Sequence, residues 1–378
     1  MPGGRAAAAV MSSPFPPLPL PCEASRVAAI ARQARLTKPP GSLGRLERVA
    51  IDIAAWQATD RPEVRPCRAL IFAADHPVAA AGVSPYPQAV TRAMVRNFLT
   101  GGAAAAVMAH HLRVHLDVID VGVDGGTVAP ACPESTPHPR PRAADESPPA
   151  AATYTRAAVA DTREADVRRA DAMTHDVFAA AIAAGARAVH ALPADTRCVI
   201  LGEMGIGNSL LAAAVTSALC GVPAEAATGP GTGAVGTCFE RKLAAVREAT
   251  ARVATSDPLD VLRRVGGREL AALAGAAAEA LSRRVVVVAD GFIACAALAP
   301  LVAVEPAARA GILFAHRGRE PGHGILLDWL GVSPLVSLEM ALGEGTGALA
   351  AMPLLDLACA THNRMATFTE AGVPDAVE

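Results

Sequence analysis

A glutamate enclosed by glycines is the first residue whose setting suggests chemistry. Residues 342–347 read LGEGTG and place Glu344 between Gly343 and Gly345. A carboxyl group in an apolar cleft gains a pKa closer to neutrality and can then act as a general base. An acidic residue at the start of a helix is equally typical of N-terminal capping, so this pattern alone leaves both interpretations open.

A second acidic loop lies at residues 201–209, LGEMGIGNS. It matches the phosphate-binding loop G-x-x-x-x-G-K-S except that Asn208 replaces the lysine. Without that lysine, and with the negative charge of Glu203, the loop disfavours a triphosphate and suits a neutral or cationic partner. A simple strand-to-helix turn is the alternative.

A third loop, TGPGTG at residues 228–233, is suited to a phosphate. Gly229, Gly231 and Gly233 expose backbone donors, Thr232 adds a hydroxyl group, and Lys242 is a nearby cation. Such a set can hold a single phosphate or a phosphoribosyl group. Glycine-rich loops are also common as plain turns, and this pattern does not distinguish the two.

Two further loops carry polar groups. The stretch AADHPVAAAGVSPYPQAVT includes His76, Ser84, Tyr86 and Gln88, which are either ligand contacts or turn-forming residues. The stretch AHRGREPGH contains two histidines, His316 and His323, but no third ligand with useful spacing. We therefore expect no metal site there.

The elements that must position these loops alternate along the chain. Apolar runs of strand length are followed by helical runs, which is typical of a parallel α/β sheet covered on both faces. Ligands bind such sheets beyond the carboxyl ends of the strands. The predicted strands are 68–74, 115–121, 197–202, 284–290 and 310–316, and the predicted helices include 24–34, 45–58, 177–190, 209–219, 268–283 and about 347–360.

The domain prediction divides the 378 residues into two parts. A small helical domain is expected from 23–62 and 347–378, and a large α/β domain from 63–346. Residues 1–22 are expected to be a disordered tail, and the Pro-rich stretch 125–152 a disordered insertion.

Composition excludes several classes of function. The formal net charge of −2 and the 3% aromatic content give no basic or stacking face for nucleic acid. No apolar run reaches membrane-spanning length. The 8 cysteines lack metal-ligand spacing, which favours reduced thiols in a cytoplasmic protein.

Ten stretches of the chain belong together as one pattern; they are KPPGSLGRLE, ADHPVAAAGVSPYPQAVT, NFLTGGAA, DVGVDG, LGEMGIGNS, GPGTG, RVGGREL, ADGFI, AHRGREPGH and LGEGTGALAAMPLL. In this order, over about residues 25–360, they resemble the nicotinate-nucleotide:5,6-dimethylbenzimidazole phosphoribosyltransferase family of cobalamin biosynthesis. The resemblance implies a Rossmann-like domain with a smaller helical domain from the chain ends, in a homodimer. It also implies that no metal or organic cofactor is needed.

The resemblance further implies an activity and the residues that perform it. Phosphoribose passes from nicotinate mononucleotide to 5,6-dimethylbenzimidazole with inversion at C1′, Glu344 acts as the base, and Glu203 lies near the developing positive charge. The acceptor base is expected at Ser84, Tyr86, Gln88, Ile206 and Leu342. The phosphoribosyl group is expected at Gly205, Asn208, Gly229, Gly231, Thr232, Gly233, Lys242, Asp290, Arg317, Gly318, Gly343 and Gly345.

The chain departs from the family pattern at several positions. Pro77 replaces a usual glycine, Pro230 an arginine and Gly318 a serine, and AVGTC at 234–238 replaces a segment with aspartates. These departures bear on nucleotide affinity more than on reaction type. A transferase for another base, such as adenine or a phenol, and a non-catalytic nucleotide-binding protein are the alternatives.

Overall fold

The computed structural model describes residues 13–128 and 152–374. Its centre is a six-stranded sheet in the order β3-β2-β1-β4-β5-β6, and every neighbouring pair is parallel. The strands are β1 (Cys67–Ala74), β2 (His115–Gly122), β3 (Thr153–Arg156), β4 (Cys198–Met204), β5 (Val286–Ala289) and β6 (Ile312–Phe314).

Fourteen α-helices surround this sheet in the described residues. They are α1 (Glu23–Arg35), α2 (Arg45–Gln57), α3 (Ala89–Leu99), α4 (Ala104–His111), α5 (His175–His190), α6 (Asn208–Cys220), α7 (Ala224–Ala227), α8 (Thr237–Ala251), α9 (Pro258–Val265), α10 (Arg268–Ser282), α11 (Phe292–Val304), α12 (Pro321–Leu330), α13 (Thr346–Arg364) and α14 (Phe368–Ala371). Helix α10 packs on α5 and on four strands, while α13 packs on α2, α4 and β4.

Burial explains why the strands are uniformly apolar. Every residue of β4 and β5 is buried. Strands covered on both faces cannot alternate apolar and polar residues, because neither face meets water. The predicted parallel sheet covered by helices is therefore confirmed.

The strand order locates one boundary of the candidate site. The chain builds outward from β1 to β2 and β3, then returns to place β4 on the other side of β1. The loops after β1 and β4 therefore leave the sheet in opposite directions and open a crevice between them. The loops at residues 75–88 and 205–208 lie at this crevice.

Two strand boundaries differ from the sequence prediction for local reasons. Residues 284–290 were expected as one strand, but Arg284 has a φ of 58° and ends the preceding helical turn, so β5 begins at Val286. Residues 306–311 form a 3₁₀ helix, which shortens β6. The sequence also missed β3, whose four residues alternate between exposed and half-buried at the sheet edge.

The chain ends meet beside the sheet. The guanidinium of Arg32 in α1 donates to the carbonyl oxygens of His362 and Asn363 at 2.6 and 3.0 Å, and Leu36 pairs with Thr367. The boundaries of a separate helical domain stay a prediction.

The expected disordered segments are only partly within the described residues. Residues 13–22 differ from the expected tail because Phe15 is buried, 7% exposed, in the main hydrophobic core. Val128, at the start of the expected insertion, is also buried, and its N–H donates to the Tyr154 hydroxyl at 3.1 Å. Residues 1–12 and 129–151 lie outside the described residues.

None of the helices in the described ranges is both long enough and apolar enough to cross a membrane.

Candidate active site

The loops at the carboxyl ends of β4, β5 and β6 and the turn before α13 enclose one cleft. Its empty volume is about 690 Å³, including the part open to solvent. Predicted catalytic, acceptor and phosphoribosyl residues meet here although they lie far apart in sequence. They are Glu203, Gly205, Ile206, Asn208, Gly231, Thr232, Asp290, Gly318, Leu342, Gly343 and Glu344.

The turn that carries Glu344 has an unusual backbone. Gly343, Glu344 and Gly345 have φ values of 81°, 62° and 78°, which places three successive residues in the left-handed region. Two of them are glycines, which adopt this region without steric strain, whereas glutamate does so rarely. A glutamate held in such a conformation marks a place where the surrounding structure imposes the side-chain direction.

Asp290 holds this turn in place. Its carboxylate accepts hydrogen bonds from the N–H groups of Gly345 and Ala348 at 3.1 and 3.0 Å. It thereby caps the first turn of α13, whose N-terminal N–H groups would otherwise lack partners. The Asp290 expected at the phosphoribosyl group is thus committed to positioning Glu344.

Glu344 itself is buried, with 4% of its surface exposed. Its Oε2 atom is buried and receives no hydrogen bond from any described residue. Burial, and then the charge of Asp290, raise the pKa of Glu344 to about 7. Near neutral pH this carboxyl group can therefore both take up and release a proton.

Glu203 lies near the end of β4 and faces the same turn. Burial, and then the nearby Asp290, raise its pKa to about 8, although a hydrogen bond from the Asn208 amide opposes the rise. A Cβ atom on Gly343 would lie only 2.4 Å from Glu203 Oε1, so a side chain there would displace the Glu203 carboxylate. Burial also raises the pKa of Asp290. Ionising all three acids at neutral pH is unfavourable, because like charges in a buried site repel each other.

The glycine loop lines the same cleft through Gly231 and Thr232. The N–H of Gly231 donates to Glu320 Oε1 at 2.8 Å. Lys242, only 2% exposed, donates to the Gly229 carbonyl at 2.7 Å and to the Ser209 hydroxyl at 3.1 Å. Burial lowers the pKa of Lys242 to about 8.

A smaller pocket adjoins this wall and is shared by the acceptor and phosphate loops. Ser84, Ile206, Thr232 and Lys242 line it, and the hydroxyl oxygens of Ser84 and Thr232 lie 3.4 Å apart. The remaining predicted site residues line neither cavity; they are Tyr86, Gln88, Gly229, Gly233, Arg317 and Gly345. Tyr86 is 50% exposed, and the Gln88 amide donates to Asp124 at 3.0 Å instead.

Comparison with known proteins identifies the family of the chain. A family model described as phosphoribosyltransferase matches residues 18–373. The chain belongs to this phosphoribosyltransferase family. The resemblance inferred from the ten sequence stretches is thereby confirmed.

Two relatives in this family are similar over nearly their whole length. The nicotinate-nucleotide–dimethylbenzimidazole phosphoribosyltransferase of Xanthomonas euvesicatoria is 45% identical over 93% of this chain and 95% of its own. The protein of the same name from Azotobacter vinelandii is 46% identical over 92% and 94%. A solved structure of that name from Thermus thermophilus has a TM-score of 0.81 at 38% identity, covering 94% of this chain and all of its own.

A buried charged network behind the cleft was missed by sequence reasoning. His76 donates from both ring nitrogens, to Glu164 and Glu269 at 2.9 Å each. Burial would lower the pKa of His76, but these two carboxylates raise it well above 6.5. His76 lies against the loop of this phosphoribosyltransferase that carries Gly205, where a Cβ atom would lie 2.7 Å from its Nε2.

The partners of His76 are 88 and 193 residues away in sequence, so no local spacing could reveal the contact. The only available signal was the pair Arg268 and Glu269, two charged residues at the start of a helix that is otherwise apolar in its first half.

The two-histidine metal site considered from the sequence is not supported. His323 accepts from the N–H of Gly318 at 3.0 Å through Nδ1, and its Nε2 lies 3.3 Å from the Cys295 sulfur. Both ring nitrogens therefore have partners. Burial lowers the pKa of His323 to about 3, so the ring is neutral and its single proton lies on Nε2.

Proposed function

We propose that this phosphoribosyltransferase moves the phosphoribosyl group of nicotinate mononucleotide to 5,6-dimethylbenzimidazole, giving α-ribazole 5′-phosphate and nicotinate. The names of the relatives supply the two substrates. The observation that carries the proposal for this chain is the buried Glu344, with an unpartnered Oε2 and a pKa of about 7, in the wall of the cleft.

The reaction needs one base and no acid. A benzimidazole nitrogen attacks C1′ of the ribose while the bond from C1′ to the nicotinate nitrogen breaks. The electron pair of that bond returns to the positively charged pyridinium ring, so nicotinate leaves without being protonated. The other benzimidazole nitrogen loses its proton to Glu344, and attack opposite the leaving group converts the β-nucleotide to the α-product.

The proposed role of Glu203 depends on its protonation state. With a pKa of about 8, it is largely protonated near neutral pH in the absence of substrate. A pyridinium ring or an oxocarbenium-like sugar beside it favours the ionised form, so the substrate's positive charge draws the proton away. The acidic cluster is thereby suited to a substrate that is cationic at the reacting centre.

The glycine wall is suited to the phosphate. Thr232 and Ser209 line both cavities, and Lys242, which lines the smaller one, donates to the Ser209 hydroxyl. We propose that the 5′-phosphate binds there, which directs C1′ toward the two glutamates. The expected homodimer and cytoplasmic location stay predictions.

Replacing Glu344 tests this proposal. In Glu344→Gln the amide keeps the shape but cannot accept the proton, so we expect turnover to fall by ~10²-fold or more. The measurement is release of nicotinate from nicotinate mononucleotide and 5,6-dimethylbenzimidazole. Glu339→Gln is the matched control, because Glu339 also has a positive φ but is exposed.

Normal turnover in Glu344→Gln would exclude Glu344 as the base. The acceptor is tested separately, by mass identification of the product formed from a mixture of dimethylbenzimidazole, adenine and a phenol. Binding of nicotinate mononucleotide without any product would favour a non-catalytic protein.

A further inference from the structure

Glu320 occupies the place where the glycine loop would receive an anion. This residue immediately precedes α12, lines the cleft and contacts the loop at residues 229–233. Its Oε1 accepts the N–H of Gly231 at 2.8 Å. Its Oε2 is buried and receives no hydrogen bond from any described residue.

The Glu320 carboxylate lies close to the backbone of the glycine loop. A Cβ atom on Gly229 would lie 2.5 Å from Glu320 Oε2, so there is space beside this oxygen only for a glycine. Gly231 has a φ of +57°, and a Cβ there would lie 2.8 Å from Lys242 Nζ. The backbone donor, the lysine and the carboxylate therefore belong to one compact group.

Charge explains why an acid belongs in this group. Lys242 is buried, and burial disfavours its charged form, whereas Glu320 acts in the opposite direction. An unpaired backbone N–H and an uncompensated cation are both costly when buried. The Glu320 carboxylate lowers both costs.

We propose that Glu320 takes the place of the substrate phosphate when the nucleotide is absent. Its carboxylate then binds the Gly231 N–H beside Lys242, and the substrate phosphate displaces it. A phosphate oxygen and Glu320 Oε1 cannot both accept the single N–H of Gly231. Two anions at this distance also repel each other. Glu320 thereby sets the affinity for the phosphorylated substrate below the value that the donors alone would give.

The inference rests on the proposed function for the identity of the nucleotide. It requires only that a phosphate monoester binds at Gly231, so binding and turnover are measured separately. Nicotinate release by the unmodified protein reports on the proposed function, and calorimetric binding reports on Glu320.

The test compares a phosphorylated and a dephosphorylated ligand at pH 7. In Glu320→Gln the side-chain carbonyl still accepts from Gly231, but the negative charge is gone. We expect nicotinate mononucleotide to bind roughly 10-fold more tightly, since a like charge nearby is worth about one logarithmic unit or more. Nicotinate riboside, which lacks the phosphate, should bind with unchanged affinity.

Asp328→Asn is the matched control, because Asp328 lies on the same helix and is exposed. It removes the same charge without touching the loop and should leave both affinities unchanged. Glu320→Ala serves as the second variant if Glu320→Gln does not fold, and the same selective gain for the nucleotide is expected.

Weaker binding of nicotinate mononucleotide in these variants would overturn the proposal, because Glu320 would then support the site rather than compete for it. An equal change in the affinities for nucleotide and riboside would also overturn it, by placing Glu320 at the ribose or the base.

Discussion

At the scale of single residues, the chemistry depends on how protons are shared among buried acids. Glu344, Glu203 and Asp290 lie in one water-poor wall, and each has a raised pKa because burial disfavours its charged form. Because these acids interact, the pKa values at which they titrate are properties of the cluster as a whole rather than of one member. Glu344 is the member whose Oε2 is buried and receives no hydrogen bond from any described residue.

The pH dependence of the reaction follows from Glu344 and Lys242. Glu344 must be ionised to act as a base, so we expect kcat/KM to rise with pH up to about 7, the pKa of Glu344. Lys242 must be protonated to hold a phosphate, so kcat/KM should fall above about 8. The measurement is kcat/KM for nicotinate mononucleotide across this range, with Lys242→Met expected to lose the alkaline limb.

A profile that stays flat below pH 7 would show that no group of raised pKa, Glu344 included, loses a proton before the reaction. A bell of the expected shape that persists in Lys242→Met would assign the alkaline limb to another residue.

At the scale of elements, the site depends on a turn that is held by the helix it precedes. Residues 343–345 all have positive φ, and the N–H groups at the start of α13 fix the turn through Asp290 at the end of β5. The Asp290 carboxylate thus connects the end of β5 to the start of α13. Sites built on such rigid elements hold their geometry better than sites on long loops.

Adding a methyl group to this turn tests its role. In Gly343→Ala the new Cβ would lie 2.4 Å from Glu203 Oε1, so the Glu203 carboxylate or the turn at Glu344 must shift. We expect turnover to fall by ~10²-fold, since displacements near 1 Å can have that effect. The variant should also lose about 1 kcal/mol of stability from the left-handed backbone.

Gly372→Ala provides the comparison. Gly372 has a φ of +62° and nothing within 4 Å of a Cβ atom, so it carries the same backbone strain without the collision. Full activity in this variant, with a similar loss of stability, would assign the effect of Gly343→Ala to the site. Full activity in Gly343→Ala would contradict the argument.

At the scale of the whole molecule, His76 joins three distant segments. It follows β1, while its partners Glu164 and Glu269 follow β3 and begin α10. All three side chains are no more than 1% exposed. Breaking such a network leaves a buried charge without compensation, which is more costly than losing an exposed ion pair.

Replacing His76 should therefore affect the stability of the whole protein. We expect His76→Gln to lower the free energy of unfolding by ~3–5 kcal/mol, measured by urea denaturation at pH 7. His190→Gln is the control, because the His190 side chain is 83% exposed, and it should change little. A small effect of His76→Gln would mean that the two carboxylates find other partners.

The network also has a defined pH dependence. The folded state raises the pKa of His76 well above the ordinary value of 6.5. Its contribution to stability is therefore complete below pH 6.5 and is lost as the pH rises through the folded pKa.

The local sequence accounts for much of the fold and for the outer features of the site. Apolar runs and helical periodicity identified five of the six strands, because a strand buried on both faces must be continuously apolar. The short edge strand β3 was not predicted, since its sequence TYTR contains no continuous apolar run. The position of Glu344 between two glycines could also be read from the sequence. The left-handed backbone of the turn favours glycines there.

The contacts that give these residues their chemistry were decided by tertiary structure alone. Glu203, Asp290 and Glu344 lie together, Glu320 contacts Gly231, and His76 contacts two distant glutamates. These contacts form because the parallel sheet and the helices packed on it bring distant segments of the chain together. The sequence determined which residues are able to donate, accept or turn, since these are local properties of side chain and backbone. Which of them are buried together, and hence what their pKa values become, depends on strand order and on the removal of water, and local spacing determines neither.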